Sequence, residues 1–378
     1  MRSSRLRLWF LRRILSFPSA LIRFFAGGGV VYSAGQTLDP QIQFLWRTWF
    51  APAESTGRMP LTLDDKSLDQ AREEWRDIAG FLSAPALARV RVEMIGDPAS
   101  APLGGVSGLL IKPLDIAAGA PVLVFFPQGG GVLGDSVLGG AGLSRAFCSL
   151  FAVEARCPVF IPTLRLAPEA RFPAALDDAR LALDWSFDNA ARLGAKSGTV
   201  AIGGALTGAG LATRLCLDRL RDSRPIPLGM LLLTPLLDLS DTGVAASPHA
   251  QMWPLSAADL GLIVSYYAGA GVDLADPGPS PARQASLAGL PPVFVVSAGL
   301  DPLAAQGEAF ARRLISLGQP AVYRRYDTLP LGFDLFAGVV DAAAAATTDI
   351  ARTWVDCLRS PQEDDKADLR EIAWSAIR

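Results

Sequence analysis

The chain has 378 residues, of which 50% are hydrophobic and 19% charged, and its formal net charge is -2. This length suits two to three ordinary domains or one large α/β domain with additions, and the high apolar content with a small net charge excludes a disordered chain. Because 35 basic residues face 37 acidic ones, the composition also disfavours a general nucleic-acid-binding protein.

The cysteines and the single histidine restrict metal and redox chemistry. The four cysteines form no CxxC pair, so we expect neither a disulfide framework nor a zinc site, and a reducing, cytoplasmic compartment is favoured. We expect them to be packed in apolar surroundings; they are Cys148, Cys157, Cys216 and Cys357. Since the chain has one histidine, any histidine base must be His249, which we expect at the surface or in a cap.

The first 38 residues differ from the rest of the chain. They contain six arginines, no acidic residue and many aliphatic and aromatic side chains. The longest uncharged run before Arg23 is 14–22, far short of the roughly 20 residues that cross a bilayer. Three interpretations stay open: a helix packed over the domain's own apolar mouth, a basic aromatic helix that contacts a membrane surface through residues 1–25, or a cleaved secretory signal.

From residue 39 onward, the apolar pattern alternates between strand-like and helix-like segments. Strands are predicted at 89–94, 106–112, 121–127, 159–162, 199–202, 229–233, 293–297 and 321–326. Helices are predicted at 41–50, 68–82, 141–155, 174–193, 210–221, 307–317 and 342–358. This alternation predicts an α/β fold with a mainly parallel central sheet of about eight strands and helices on both faces.

Several short motifs accompany these predicted strands. They are QGGG at 128–131 with Gly134-Asp135, RLAPE at 165–169 with FPA at 172–174 and an acidic pair at 177–178, GALTG at 204–208, DPL at 301–303, and LGF at 331–333. In this order and spacing they are similar to the motifs of the hormone-sensitive-lipase-like esterase group of the α/β-hydrolases. The similarity runs from about residue 38 to residue 358.

The resemblance implies an α/β-hydrolase fold with a helical cap. We expect a basic and aromatic extension at 1–38, a hydrolase domain at 39–360 with a cap from about 39–90 and 240–275, and a charged tail at 361–378. No metal or organic cofactor is implied, and the glycines at 203–210 stand too late in the chain for a dinucleotide-binding fingerprint. Because homodimers are common in the group, the resemblance also implies a homodimer.

The resemblance also assigns the three positions of a catalytic triad. The nucleophile, acid and base positions correspond to Leu206, Asp301 and Leu331, so that only the acid is present. Leucine has no nucleophilic atom and cannot move a proton. Without an imidazole partner, a buried Asp301 is expected to find other donors or to keep its proton, which raises its pKa.

The same comparison assigns an oxyanion hole. Gln128 stands where the family has the histidine of its oxyanion loop. The backbone N–H groups of Gly130, Gly131 and Thr207 are the expected donors of the hole, and we expect them to be the ligand contacts. Above them, the two leucines would form an apolar pocket with an anion-binding floor, or would fill the site.

These substitutions lead us to expect a catalytically degenerate homologue, a pseudoenzyme that binds a small apolar or carboxylate ligand or a protein partner. Losing members of a triad costs roughly 10⁴–10⁶ in rate. Two alternatives remain open. One is an active carboxylesterase or lipase-type hydrolase with an unrecognised nucleophile, and the other is a scaffold on a membrane surface.

Overall fold

The computed structural model describes residues 10–11, 13–27, 29–50, 68–83, 89–97, 105–134, 142–241 and 243–359. The charged tail predicted at 361–378, and Asp135 of the glycine motif, lie outside these ranges. Within them, no helix combines the length and the apolar character that crossing a bilayer requires.

A central sheet of eight strands forms the middle layer, in the order β10-β9-β8-β7-β5-β6-β4-β3. The strands are β3 Val90–Ile95, β4 Gly108–Pro113, β5 Val122–Phe126, β6 Val159–Pro162, β7 Val200–Ala205, β8 Met230–Leu233, β9 Val293–Leu300 and β10 Ala321–Pro330. β4 is antiparallel to both of its neighbours, and the other pairs are parallel. The expected α/β fold with a mainly parallel sheet is therefore confirmed.

Helices flank this sheet. They are α1 Ser19–Ala26, α2 Pro40–Phe44, α3 Leu68–Ser83, α4 Arg145–Ala155, α5 Ala174–Asn189, α6 Thr207–Arg221, α7 Gly243–Ala246, α8 Ala257–Ala268, α9 Ala304–Ser316 and α10 Asp341–Leu358. A π-helix, Leu45–Phe50, continues α2, and short 3-10 helices occupy Pro281–Arg283 and Phe333–Phe336. α4 packs against α10, and α5 packs against α6. Every residue of β5 is buried, as its unbroken apolar run predicts for a strand covered on both faces.

Several elements of the structure were not predicted from the sequence, including a hairpin and a helix. The first is a small antiparallel hairpin, β1 Tyr32–Ser33 and β2 Gln36–Thr37. Its two-residue turn, Ala34 and Gly35, has positive φ at both positions, which is the geometry of the commonest tight hairpins. The second is α8, which begins with a capping box in which Ser256 and Asp259 exchange hydrogen bonds.

Helix α6 begins three residues earlier than predicted. The prediction began the helix at Gly210, but both Gly208 and Gly210 lie in its first turns. Their role is close packing. A Cβ atom on Gly208 would lie 2.3 Å from the carbonyl oxygen of Phe126, and one on Gly204 would lie 2.4 Å from the carbonyl oxygen of Gly208. The glycines therefore let α6 approach the ends of β5 and β7.

Candidate functional site

The turn between β7 and α6 holds Leu206 in an unusual backbone conformation. Its φ is 55° and its ψ is -121°, a region that residues with a side chain rarely adopt and that costs about 1–3 kcal/mol. The turn is fixed from β8, because the N–H of Leu206 donates to the carbonyl of Leu233 at 3.1 Å and its carbonyl accepts from the N–H of Leu236 at 3.2 Å. The side chain is 2% exposed.

The glycine loop after β5 lies at the same edge of the sheet. Gly129, Gly130 and Gly131 have φ values of 108°, 70° and 68°, which favour glycine. Helix α8 covers the loop so closely that a Cβ atom on Gly130 would lie 2.2 Å from Ile263, and one on Gly131 would lie 2.8 Å from the ring of Tyr267. The loop's conformation and its packing therefore both exclude a side chain.

The expected hole donors lie in these two turns. Thr207 is the first residue of α6, where the backbone N–H has no partner within the helix. In the described part of the chain, no hydrogen bond uses the N–H of Gly130 or Gly131. Because β5 and β7 are adjacent and parallel, both turns lie at the carboxyl edge of the sheet. Their role as an oxyanion hole stays a prediction.

Gln128 is held beside this loop by two hydrogen bonds. Its N–H donates to Ser144 Oγ and its Nε2 donates to the carbonyl of Leu143, both at 3.2 Å. Its Oε1 lies 3.3 Å from the point where a Cβ atom on Gly332 would stand. The amide side chain therefore reaches the segment that follows β10, next to Leu331.

Asp301 and Leu331 follow β9 and β10 and are both buried, at 1% and 2% exposure. Asp301 Oδ1 accepts a hydrogen bond from the N–H of Leu303 at 2.7 Å, while its Oδ2 has no hydrogen-bond partner in the described part of the chain. Burial raises the pKa of Asp301 to about 7, against the lowering effect of its backbone hydrogen bonds. The expected upward shift of this pKa is confirmed.

A second buried carboxyl group, Asp334, lies in the 3-10 helix after β10. Neither of its oxygens has a hydrogen-bond partner within the described ranges, and burial raises its pKa to about 7. The sequence analysis did not identify it. The available signal was one acidic residue within the otherwise apolar run from Leu329 to Val340.

A small cavity that opens to solvent, with room for about one water molecule, lies beside the turn of Leu206. Thr207 and Arg214 from α6 contribute to its lining, and Tyr267 contributes from α8. Neither Leu206 nor Leu331 lines it. The two leucines are thus enclosed by protein, and this cavity differs in position from the apolar pocket expected above them.

His249 contacts a hydroxyl group. Its Nδ1 lies 2.9 Å from the Oγ of Ser33, which also lies 3.1 Å from the carbonyl oxygen of Pro248. Of the two positions expected for the histidine, the surface is wrong, because His249 is 8% exposed, and a place in the cap stays a prediction. Burial, and secondarily the charge of Arg325, lowers the pKa of His249 from its usual 6.5, so the imidazole is neutral at pH 7.

The hairpin holds this pair against the edge strand β10. The N–H of Asp39, just after the hairpin, donates to the carbonyl of Thr328 at 2.9 Å, and Gln36 Nε2 lies 3.4 Å from Asp327 Oδ1. β10 continues from these residues to Pro330, and Leu331 follows it. Among the described residues, no hydrogen bond links Ser33 or His249 to the glycine loop after β5 or to the turn before α6. Ser33 and His249 therefore form a cluster separate from the expected oxyanion hole.

Several residues of the family-like motifs hold the fold together. Arg165 makes a bidentate ion pair with Asp178, with contacts of 2.8–3.0 Å. Arg72 of α3 pairs with Glu169 at 2.6 Å and also donates to the carbonyl of Val132 at 2.9 Å. The charge-assisted bonds of Arg72 tie α3 to the segments that contain Val132 and Glu169.

The fold and the ordered motifs define a class of protein. A family model described as the alpha/beta hydrolase fold matches residues 123–335, so the chain belongs to the α/β-hydrolase family, in its hormone-sensitive-lipase-like group. The chain is 30% identical to the carboxylic ester hydrolase LipN of Mycobacterium tuberculosis over 339 residues, which cover 88% of this chain and 86% of LipN. It is 31% identical to the esterase LipI of the same organism, over 76% of this chain and 87% of LipI.

Solved structures agree with this assignment. An esterase from Pyrobaculum calidifontis superposes with a TM-score of 0.69 at 28% identity, over 78% of this chain and 95% of that one. An esterase from the bacterial hormone-sensitive lipase family gives a TM-score of 0.67 at 26% identity, over 78% of this chain and 92% of that one.

The expectation of a catalytically degenerate binding protein is wrong. Relatives that match most of the chain are named esterases or ester hydrolases, and they favour the active hydrolase that the sequence analysis left as an alternative. The expectation relied on the side chains at two positions, 206 and 331. Ester hydrolysis requires a nucleophile with a base in reach wherever the pair lies, and Ser33 Oγ lies within hydrogen-bond distance of His249 Nδ1. That Leu206, Asp301 and Leu331 occupy the family's catalytic positions stays a prediction.

Proposed function

We propose that this protein is a carboxylic ester hydrolase. The observation that carries the proposal is its similarity to ester hydrolases along nearly the whole chain, 88% in the case of LipN. The glycine loop and the turn at the start of α6 belong to the motifs that resemble this family, although they lie in a different cluster from the pair proposed below.

The nucleophile and its base are proposed to be Ser33 and His249. A serine hydroxyl is a weak nucleophile unless a base lies within hydrogen-bond reach. The chain has one histidine, and in the described structure its imidazole contacts the hydroxyl of Ser33 at 2.9 Å. That hydroxyl also donates to the carbonyl of Pro248 at 3.1 Å. A lowered pKa keeps this imidazole neutral and able to accept a proton.

In the proposed reaction, Ser33 Oγ attacks the ester carbonyl carbon while Nδ1 of His249 accepts the hydroxyl proton. The carbon–oxygen bond to the alcohol then breaks, and the imidazolium returns the proton to the leaving alkoxide. Water attacks the acyl group on Ser33, His249 again takes and returns a proton, and the acid is released. In a two-residue hairpin turn, the central N–H groups lie outside the ladder, so Ala34 and Gly35 offer donors next to Ser33.

The test is hydrolysis of p-nitrophenyl butyrate by the full chain and by Ser33→Ala and His249→Ala. We expect each substitution to lower kcat/KM by at least about 10³-fold, because nucleophile and base act as one unit. Ser265→Ala is the matched control, since Ser265 lies exposed on α8 and bonds only within its own helix in the described structure. It should leave turnover unchanged.

Two results would count against different parts of the proposal. Absence of turnover by the folded wild-type chain over a panel of short and long acyl esters would contradict the hydrolase function. Turnover that survives both Ser33→Ala and His249→Ala would leave the function standing and reject the assigned pair. The variants Thr207→Ala and Asp301→Asn would then show whether the hydroxyl of Thr207 or the carboxyl of Asp301 takes part in the chemistry.

A further inference from the structure

The N-terminal segment presents an exposed apolar surface, here called the aromatic face, made of Phe17, Leu21, Phe24 and Phe25. Their exposed fractions are 40%, 47%, 78% and 52%. The rings form one cluster, with centroids 5.8 Å apart for Phe24 and Phe25 and 6.2 Å apart for Phe17 and Phe25. In the described part of the chain, every exposed aromatic side chain lies between residues 10 and 32.

The opposite side of this segment is fixed to the protein. Leu11, Leu15 and Ile22 are buried in the hydrophobic core, and Gln41 Nε2 donates to the carbonyl of Leu15 at 2.8 Å. Arg47 also donates to the carbonyl of Gly29 at 2.8 Å. The segment is therefore docked by one side, and its outward side does not need phenylalanine for folding.

Water is an unfavourable surrounding for such a surface. Burial of a phenylalanine side chain is worth about 1.5–3 kcal/mol relative to exposure, and clustered exposed apolar residues mark interaction sites. Scattered single residues would need no explanation, but the aromatic face joins four large side chains within nine residues of sequence, 17–25.

The charge around the face selects the kind of partner. Residues 1–38 contain six arginines and no acidic residue, and Arg13, one turn before Phe17, is exposed. A second copy of the chain would bring like charges together, whereas an anionic lipid surface attracts them, at about 1 kcal/mol for each nearby arginine. Aromatic rings are also favoured at the level of the lipid headgroups.

We propose that the aromatic face docks the protein on an anionic lipid surface, with α1 lying in the plane of the interface. The helix has 8 residues, about 12 Å at 1.5 Å per residue, which suits partial insertion of its outer side. This inference does not depend on the proposed ester hydrolysis, and each can fail without the other.

The test is co-flotation of the full chain with vesicles of phosphatidylcholine alone or mixed with phosphatidylglycerol. We expect binding to the mixed vesicles, weakened by added salt because lipid–arginine attraction is screened. The double variant Phe24→Ser with Phe25→Ser should weaken binding by about tenfold or more. The matched control is Leu228→Ser with Leu317→Ser, two leucines that are 48% and 50% exposed elsewhere, and it should bind as the wild type does.

Three results would overturn the inference. One is equal or absent binding of the wild type to the two kinds of vesicle. Another is unchanged binding of the Phe24 and Phe25 variant, with circular dichroism showing that it is folded. The third is a dimer in solution that this variant dissociates, because the aromatic face would then be a contact between two copies of the chain.

Discussion

At the scale of single residues, the proposed chemistry of this chain lies in side chains that contact residues distant in sequence. Ser33 and His249 are 216 positions apart, and no local pattern relates them. The sequence could establish that His249 is the sole histidine, and hence the sole imidazole base. It could not supply the partner, because only the tertiary packing of a short hairpin brings the hydroxyl to Nδ1.

The raised pKa of Asp301 predicts a pH-dependent stability. Its folded-state pKa of about 7 lies above the unfolded value of 3.8, so the folded state holds its proton more tightly. Stability is therefore lost as pH rises through this window. Between about pH 5 and pH 8, the loss from this one group amounts to about 2–3 kcal/mol.

Asp301→Asn removes this titration. In urea unfolding, the stability of the wild type relative to this variant should fall as pH rises over that range. Asp188→Asn, at an exposed carboxyl on α5, is the control and should keep the pH dependence of the wild type. Parallel curves for the wild type and Asp301→Asn would show that the carboxyl is not buried as described.

At the scale of elements, apolar patterning was a sufficient guide to most of the sheet, because six of the eight predicted strands overlap a fully or largely buried run. The β1–β2 hairpin was not predicted, because each of its strands has two residues. An alternation of apolar and polar residues cannot be recognised in so short a segment. Helix α8 carried a readable signal in Ser256 and Asp259, three residues apart at its start.

The packing of α6 on the sheet gives a prediction about Gly208. Because its Cβ atom would stand 2.3 Å from the carbonyl oxygen of Phe126, Gly208→Ala should lower the free energy of unfolding by about 3 kcal/mol or more. Gly261→Ala in α8 is the matched control, since no atom lies within 4 Å of its Cβ position.

At position 261, alanine should raise the free energy of unfolding by about 0.5–1 kcal/mol, because glycine loses more backbone freedom than alanine when a helix forms. Thermal and urea unfolding measure both changes. Similar stability of the two variants would contradict the close approach of α6 to β5.

At the scale of the whole molecule, the sequence predicted the fold correctly but not the function. The order of the motifs predicted the α/β-hydrolase fold, because each motif is tied to the end of a particular strand. The side chains at two of those motifs suggested an inactive protein, whereas the similarity over 88% of the chain to LipN favours hydrolysis. A motif position shows what its own side chain can do, but not whether another pair of residues does the chemistry.

The most direct test of this account is labelling of the wild-type chain with a fluorophosphonate, followed by tryptic mapping. Cleavage after Arg23 and Arg47 yields a peptide of residues 24–47 in which Ser33 is the only serine. We predict that this peptide carries the phosphonyl group, that ester turnover is lost in step with labelling, and that His249→Ala greatly slows both. A chain that turns over no ester and takes up no label, or that is labelled on a different residue, would contradict the account.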